Sequence, residues 1–459
     1  MKLIVILLLI SSASLSFGQM QFEKDSTMIR KLFNESLEHG NAYEDLRSLC
    51  KDVGARISGS ASAEMAVHWG KHKLESYNFD KVYLQEIMVP HWMRGTKEEG
   101  WYKTADNKLH KVNMLALGGS IGTNGTMSAE LVMFKNREEL QKADAKNIEG
   151  KIVFIAQPMD QKMINSFRAY GACYPIRGHG AVDAAKKGAV GVIIRSLSLS
   201  EHDHAHTGTM KYEDGVKKIP AAAISTNDAT VLERIIANSA DPVEFIFEMN
   251  CEKLPDVKSY NVIGEIKGNT YPDKIITIGG HLDSWDVGEG AHDDGAGIVH
   301  SMEAVRLLLT QGYKPRHTLR VVFFMNEENG NMGGKSYARI ANEKKEKHIA
   351  AIESDRGGFT PRGFDCDGDA EDVSLLQSFA PYFEPYYLHH FKKGYGGVDI
   401  GPLKDEFEDI ALYDFVPDSQ RYFDFHHNHN DVFENVNRRE LHLGAASIAA
   451  LIYLLDQYI

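Results

Sequence analysis

Cysteine is scarce in this sequence of 459 residues, acidic residues outnumber basic ones, and internal repeats and low-complexity linkers are missing. The four cysteines are far apart and form no CxxC pair, so we expect no cysteine-based zinc site and can infer no disulfide pairing. The formal net charge of −13 argues against a nucleic-acid or anionic-lipid partner. No stretch after the N-terminus has the roughly 20 apolar residues of a membrane helix, so we expect a soluble protein without a membrane partner.

The first residues have the features of an export signal. Lys2 supplies a positive charge, Leu3–Ile10 is an unbroken apolar run, and Ser16 and Gly18 occupy the small-residue positions of a cleavage site. The apolar run is too short to span a bilayer, and the alternative interpretation is a buried N-terminal strand. We therefore predict a signal peptide over residues 1–18 and export to the periplasm or the extracellular space.

Three regions follow the predicted signal peptide. Residues 19–117 begin with apolar residues at helical spacing and would form the N-terminal part of a peptidase domain. Residues 118–252 open with a glycine-rich stretch and contain four short apolar runs, which are typical of a separate insert. Residues 253–459 alternate strand and helix most clearly and would form the catalytic core. Strands are predicted in this core at residues 275–278, 319–325 and 349–352, and helices at residues 295–309 and 441–458.

Long apolar strands interleaved with helices indicate a sheet that is buried on both faces. The predicted fold class is therefore α/β, with a mixed, mostly parallel sheet between helices and an inserted domain. In open sheets of this kind, ligands bind beyond the carboxyl ends of the strands. Polar residues interrupt the apolar pattern of the last region at those ends.

The first of these strands leads into the run GGHLDSWDVGEGAHDDGAG. His281 follows the strand directly, and Asp283 is placed to accept the second imidazole N–H, as metal-binding histidines require. Asp293 precedes a helix, where its carboxylate could place one oxygen on each of two cations. The alternative for Asp293 or Asp294 is a simple N-cap of that helix.

The second and third strands also end in acidic residues. Glu327 and Glu328 follow an apolar strand, and Asp355 follows the next one. We expect Glu328 and Asp355 to bind metal, and Glu327 to act as a general base that takes a proton from a bound water. The alternatives are a solvated loop for the glutamates and an exposed turn for Asp355. Near the C-terminus, the run FDFHHNHND adds three closely spaced histidines, for which surface histidines are the alternative.

These motifs indicate a metal centre because they occur together at successive element ends. Imidazoles and carboxylates without cysteine suit zinc, with cobalt or manganese as further options. Two metal ions a few ångströms apart can share a bridging hydroxide, polarise a carbonyl and stabilise the tetrahedral intermediate. That is the chemistry of amide hydrolysis.

The run GHLDSWDVGEGAHDDGAG resembles the co-catalytic dizinc exopeptidases, a family of aminopeptidases and carboxypeptidases. The resemblance extends over most of the mature chain and is greatest to a carboxypeptidase branch. It includes the insert, which resembles a protease-associated domain. It implies an exopeptidase that acts on short peptides or dipeptides with two Zn²⁺ per chain, and a homodimer is expected from the resemblance alone.

The resemblance also implies a role for each site residue. Glu327 would be the base and proton shuttle, and Asp283 would orient His281. The implied metal ligands are His281 and Asp355 for one zinc, Glu328 and His427 for the other, and Asp293 as the bridge between them.

The last ligand depends on spacing. The family places its histidine four residues before an acidic residue, and counting back from Asp431 gives His427. His426 and His429 are the alternatives. The sequence departs from the family at Met325-Asn326, before the glutamates, where smaller residues are frequent.

Three other functions remain to be weighed. An aminopeptidase would share every proposed ligand. A non-catalytic receptor-like ectodomain would have lost ligands or the base, all of which are present here, and an acyl transferase like the glutaminyl cyclases would lack the insert.

Two further segments carry residues of interest. The segment EHDHAHTG, residues 201–208, could form another metal site or a polar loop that faces the cleft. The segment GYGGVDIGPL, residues 394–403, has the glycine content of a loop that approaches substrate closely. Its Asp399 receives no assigned role.

Overall fold

The structure, a computed structural model, describes residues 2–104 and 106–459, with side chains from residue 19 onward and the same gap. The predicted signal peptide, residues 1–18, lies outside the residues whose side chains are described. Within the described residues, every helix is too short or too polar to cross a lipid bilayer.

Strands and helices alternate through most of the described chain. The strands β1 to β16 span Lys81–Met93, Glu98–Lys103, Leu109–Val112, Met114–Ala116, Met127–Phe134, Ile152–Ile155, Gly191–Arg195, Ala221–Ile224, Glu244–Met249, Glu252–Ile266, Tyr271–His281, His317–Phe324, Lys347–Glu353, Pro361–Asp367, His390–Lys393 and Ala411–Pro417. The helices α1 to α14 span Lys2–His39, Ala42–Ser48, Ala61–Ser76, Arg137–Lys142, Ser166–Cys173, Pro175–Ala185, Thr226–Asn238, Ala296–Thr310, Met332–Glu343, Ala370–Ser378, Ala380–Phe383, Leu403–Glu406, Tyr422–Phe425 and Arg438–Tyr458.

The first sheet has the strand order β1-β10-β12-β11-β13-β16-β14-β15. Its centre, from β12 through β11 and β13 to β16, is parallel, while β1 and β10 pair antiparallel with their neighbours. At the other edge, β14 pairs antiparallel with β16 and parallel with β15. The predicted class, an α/β fold with a mixed, mostly parallel sheet, is therefore confirmed. The three predicted core strands correspond to β11, β12 and β13.

Both faces of this sheet are covered. Along β12, Val321 and Phe323 pack into the core formed with α8 and α14, whereas Val322 and Phe324 pack into a smaller core with α9. A strand buried on both faces is apolar along most of its length, which explains the run VVFF at residues 321–324. Phe323 has no exposed surface, and its replacement by alanine would cost about 3–5 kcal/mol of stability.

The second sheet has the order β3-β2-β9-β5-β6-β7-β8-β4, with β5 to β8 parallel. Its strands lie between Glu98 and Met249. The predicted insert, residues 118–252, contains β5 to β9, and β2, β3 and β4 precede it. The helices α5 and α6 of this unit face the first sheet across a cleft.

All four cysteines are buried and free within the described residues. Burial raises the pKa of the Cys173 thiol to about 12 and that of the Cys251 thiol to about 11. These thiols are therefore protonated at neutral pH, and they pack as small apolar side chains.

Candidate metal centre

The parallel centre of the first sheet brings the predicted site residues together. His281, the last residue of β11, pairs with Phe324 at the end of β12, and the end of β13 lies beside β11 on the other side. Glu327 and Glu328 follow β12, and Asp355 follows β13. Because parallel strands end at the same edge, side chains that are distant in sequence meet there.

Asp293 lies at the centre of this arrangement. Its Oδ1 atom is 3.1 Å from Nε2 of His281, and that nitrogen is also 3.4 Å from Oδ1 of Asp355. Its Oδ2 atom is 3.2 Å from Nε2 of His427, which in turn lies 3.1 Å from Oε2 of Glu328. Two histidine–carboxylate pairs therefore share Asp293 as a common neighbour.

Several buried oxygens of this cluster have no hydrogen-bond partner in the described residues. They are Oδ2 of Asp293, Oε1 of Glu328 and Oδ1 of Asp355. Buried polar atoms are almost always paired in folded proteins, so a set of unpaired carboxylate oxygens indicates a cation site. Burial and the Asp293 charge raise the pKa of Glu328 to about 7, which reflects the same crowding of negative charge.

The donor set fits zinc. Ligand atoms of His281, Asp293 and Asp355 lie within 4.8 Å of one another, and so do those of Asp293, His426 and His427. Nitrogen and oxygen donors without sulfur are common in catalytic zinc sites. The described side chains could therefore hold two ions.

Three neighbouring histidines were candidates for the last ligand, and the structure separates them. His427 contacts both Asp293 and Glu328, whereas Nε2 of His426 is 3.8 Å from Asp293. The rings of His426 and His427 stack with centroids 3.4 Å apart. His429 is exposed. The backbone of His427 has φ of 64°, an uncommon left-handed conformation that turns its ring toward the carboxylates.

Asp283 orients His281 through its backbone carbonyl and not, as we had expected, through its carboxylate. Nδ1 of His281 donates to the backbone carbonyl of Asp283 at 2.9 Å, while the Asp283 carboxylate is 3.9 Å from that nitrogen. The carboxylate instead accepts the backbone N–H groups of Asn326 at 2.6 Å and Glu327 at 3.1 Å. Asp283 thus fixes the His281 tautomer with its main chain and the glutamate loop with its side chain.

Two further acidic residues support the cluster. The Asp431 carboxylate accepts the N–H groups of His292 at 2.7 Å and Asp293 at 3.1 Å. Asp294, which precedes the N-cap residue Gly295, accepts the N–H of Gly297 at 3.0 Å, so Asp294 rather than Asp293 bonds the first turn of α8. In the sequence, the signal for Asp431 is its position four residues after His427.

The cluster lies at the bottom of a cleft with a volume of about 370 Å³. Glu327 lines this cleft, and burial raises its pKa well above the ordinary value. The wall contributed by the second sheet's unit carries Arg177 of α6. Aromatic side chains line much of the remaining surface, namely Phe167, Tyr170, Tyr174, Tyr395, Tyr422 and Phe423. The sequence does not mark these aromatic residues as cleft residues, because they come from separate segments without a shared local pattern.

The segment of residues 201–208 reaches this site through its last residues. The N–H of Thr207 donates to the His427 carbonyl at 2.9 Å, and the next-but-one residue, Thr209, donates its hydroxyl to the Glu328 carbonyl at 2.9 Å. His202 and His206 approach each other, with their Nε2 atoms 3.2 Å apart. No third ligating His, Cys, Asp or Glu joins them among the residues that the structure describes.

Asp399 lies beside the site in a loop that Glu353 holds. The Glu353 carboxylate accepts the N–H groups of Val398 at 2.7 Å and of Asp399 and Ile400 at 2.9 Å. Both carboxylate oxygens of Asp399 are buried and have no partner in the described part of the chain. Burial raises the pKa of Asp399 well above its ordinary value, and the nearby Glu327 carboxylate adds to the shift.

Comparisons with known proteins point to one peptidase family. The profile of peptidase family M28 matches residues 261–452. Carboxypeptidase Q of Bos taurus is 33% identical over 415 residues, which cover 90% of this chain and 84% of that protein. The crystal structure of a peptidase M28 precursor from Shewanella amazonensis SB2B is 35% identical, covers 95% of this chain and 97% of its own, and superposes with a TM-score of 0.89. A zinc aminopeptidase from Bacillus subtilis is similar in fold, with 20% identity, coverage of 91% and 95%, and a TM-score of 0.63.

Proposed function

The chain belongs to peptidase family M28 and is a metallo-exopeptidase, and we propose that it is an exported dizinc enzyme that hydrolyses short peptides. The observation that carries the proposal is the position of Asp293, whose two carboxylate oxygens each face a different histidine. A carboxylate in this position can bridge two cations. Similarity to carboxypeptidase Q favours removal of residues from the C-terminus of the substrate.

We assign two zinc ions to the cluster. The proposed ligands are His281 and Asp355 for one ion, Glu328 and His427 for the other, and Asp293 for both. The unpaired buried oxygens of the three carboxylates support this assignment, because a cation would satisfy them. Zinc is also the metal named for the Bacillus subtilis aminopeptidase that shares the fold.

Bound zinc would polarise the scissile carbonyl and lower the pKa of a water molecule in the site. Glu327 takes a proton from the water that attacks the carbonyl carbon, and it delivers this proton to the amine as the carbon–nitrogen bond breaks. Asp283 positions Glu327 by accepting its backbone N–H. The His281 proton stays on Nδ1, bonded to the Asp283 carbonyl, so that Nε2 is free to bind metal.

Export is proposed from the sequence of residues 1–18, and the proposed site residues all lie in the part of the chain that would remain after cleavage. An aminopeptidase is the second candidate function because it would use the same metal ligands. The two activities differ only in which end of the peptide the cleft binds.

One experiment separates these functions. Purified protein is tested for zinc by elemental analysis and for activity on dipeptides that are free, blocked at the amine or amidated at the C-terminus. We expect about two zinc ions per chain and cleavage that is much faster, though not exclusively, with a free C-terminal carboxylate than with its amide. Cleavage of amidated peptides with a required free amine would identify an aminopeptidase, and a protein without bound metal would contradict the dizinc proposal.

A further inference from the structure

Arg177 in α6 is a buried cation that forms no ion pair with any residue whose side chain the structure describes. Arg177 is only 4% exposed, yet its side chain lines the cleft above the metal centre. The hydrogen-bonding groups found near it in the described residues are the Thr207 carbonyl at 3.3 Å, the His427 ring at 3.4 Å and the Tyr170 hydroxyl. A buried charge without a directly paired counter-charge is costly, so this part of the cleft suits an anionic group of a ligand.

The guanidinium also has unused N–H donors. Its Nε atom is buried without a hydrogen-bond partner in the described part of the chain. Nε2 of His427 faces Glu328 and Asp293, so the imidazole proton lies on Nδ1 when Nε2 binds a cation. Nδ1 then cannot accept the nearby Nη1–H of Arg177, which leaves a second donor free.

The surroundings hold the guanidinium in place without neutralising it. The Tyr170 and Tyr174 rings lie 5.3 Å and 5.2 Å from its Cζ atom, a distance typical of cation–π contacts. Gly208 packs against the other side, where an added Cβ would come within 2.4 Å of Cζ. The loop of residues 201–208 therefore leaves room for the guanidinium only because residue 208 has no side chain.

The second arginine of the cleft is different. Arg356 forms an ion pair with Asp414 and lies 3.5 Å from a carboxylate oxygen of Asp365. Its charge is thus already compensated inside the protein. Of the two arginines that line the cleft in the described residues, Arg177 is the one whose charge is left for a ligand.

We propose that Arg177 binds the terminal carboxylate of the peptide substrate and so determines which end of the peptide is cleaved. The proposal rests on the proposed peptidase function and deepens it, since it names the group that selects the substrate. A guanidinium whose charge has no counter-ion among the described residues, and which keeps a free N–H donor, suits a carboxylate, which it can bind through a charge-assisted hydrogen bond.

The position of Arg177 fits a carboxylate that lies one residue beyond the scissile bond. Its Nη1 atom is 3.4 Å from His427, a proposed metal ligand. One residue extends about 3.3–3.6 Å along an extended chain, and a hydrogen bond adds about 2.7–3.2 Å. A peptide whose scissile carbonyl lies at the metal centre would therefore place its next carboxylate within reach of Arg177.

The test compares a dipeptide that has a free carboxylate with its C-terminal amide, using the zinc-loaded protein. In Arg177→Met, which keeps the side-chain length and loses the charge, we expect kcat/KM for the free acid to fall about a hundredfold. The amide offers no carboxylate to Arg177, so its kcat/KM should change by less than about threefold. The matched control is Arg168→Met in α5, an exposed arginine of the same unit, which should leave both substrates unaffected.

Arg177→Lys provides a second variant if the methionine variant does not fold. It keeps the charge but lacks the planar fork, so we expect KM for the free acid to rise about tenfold while kcat stays the same. Equal losses on the acid and the amide in a folded variant, or an unchanged KM for the acid, would overturn the proposal. Wild-type protein that cleaves neither substrate would instead overturn the proposed peptidase function.

Discussion

The Nε2 atom of His427 lies 3.1 Å from the Oε2 atom of Glu328, although one residue follows a strand of the central sheet and the other lies close to the C-terminus. This contact joins the last segment of the chain to the parallel centre of the sheet. It also distinguishes His427 from His426, whose ring stacks on the His427 ring and whose Nε2 atom lies 3.8 Å from Asp293.

Replacing His427 with alanine should remove one of two bound zinc ions, because the ion near Glu328 would lose its only proposed nitrogen ligand. His426→Ala is the matched variant, and we expect it to retain both ions, because its Nε2 is 3.8 Å from the shared carboxylate of Asp293. Elemental analysis of the purified variants measures this. Loss of zinc in the His426 variant but not in the His427 variant would reverse the assignment.

Glu327→Gln should lower kcat by a factor of about 10²–10⁴ and leave the zinc content unchanged, because an amide cannot take up the proton of the attacking water. Glu328→Gln is the control, since the same chemical change at a proposed ligand should reduce bound zinc. Steady-state kinetics and elemental analysis on the same samples give both quantities. Substantial activity in the Glu327 variant would remove this residue from its role.

Asp431→Asn should weaken zinc binding about 10–100-fold, because Asp431 orients Asp293 through the backbone of residues 292 and 293 without touching the ions. Titration with a competing chelator measures the affinity. Glu434→Gln, nearby in sequence and 64% exposed at its side chain, should leave the affinity unaltered. An equal affinity in wild type and the Asp431 variant would show that the Asp293 turn needs no such support.

Glu346→Gln tests a charge cluster that is distant from the metal centre. Burial raises the pKa of Glu346, but hydrogen bonds from His348 and Arg320 outweigh this and lower it to about 2. Because the folded pKa is depressed, the ionised carboxylate stabilises the fold fully above its ordinary pKa of 4.5 and loses this contribution as the pH falls toward about 2.

We therefore expect wild type to exceed the Glu346 variant in free energy of unfolding by about 1–2 kcal/mol near pH 6, and by less near about pH 3. Urea unfolding of both proteins after removal of zinc measures the difference. A difference that grows on acidification would contradict the depressed pKa.

The fold could be predicted where burial imposes a simple pattern. The strands β12 and β13 lie within two residues of the bounds expected from their apolar runs, because strands buried on both faces are apolar along most of their length. The sequence pattern did not indicate β14 and β16, in which glycine, proline or aspartate interrupts the apolar residues. Their pairing with each other depends on contacts that are distant in sequence.

The site divides in the same way. His281 ends one strand, and Glu328 and Asp355 lie a few residues beyond the ends of the next two, so the rule that ligands gather at carboxyl ends was enough to group them. Arg177 lies in another sheet's unit, and no local pattern relates a helix of one unit to a strand end of the other. The hydrogen bond from His281 to the Asp283 main-chain carbonyl could not be predicted either, because every residue has such a carbonyl and the sequence does not mark which one is used.

The shared carboxylate of Asp293 has a consequence for the timing of activity. During synthesis, the other proposed ligands His281, Asp293, Glu328 and Asp355 are all made before His427, so a growing chain would first offer an incomplete form of the proposed two-metal site. The site is completed when the last segment folds back onto the sheet and Thr207 meets His427. If the chain crosses a membrane unfolded, it would have no peptidase activity in the compartment where it is synthesised. Hydrolysis would begin only after the chain has folded on the other side of the membrane.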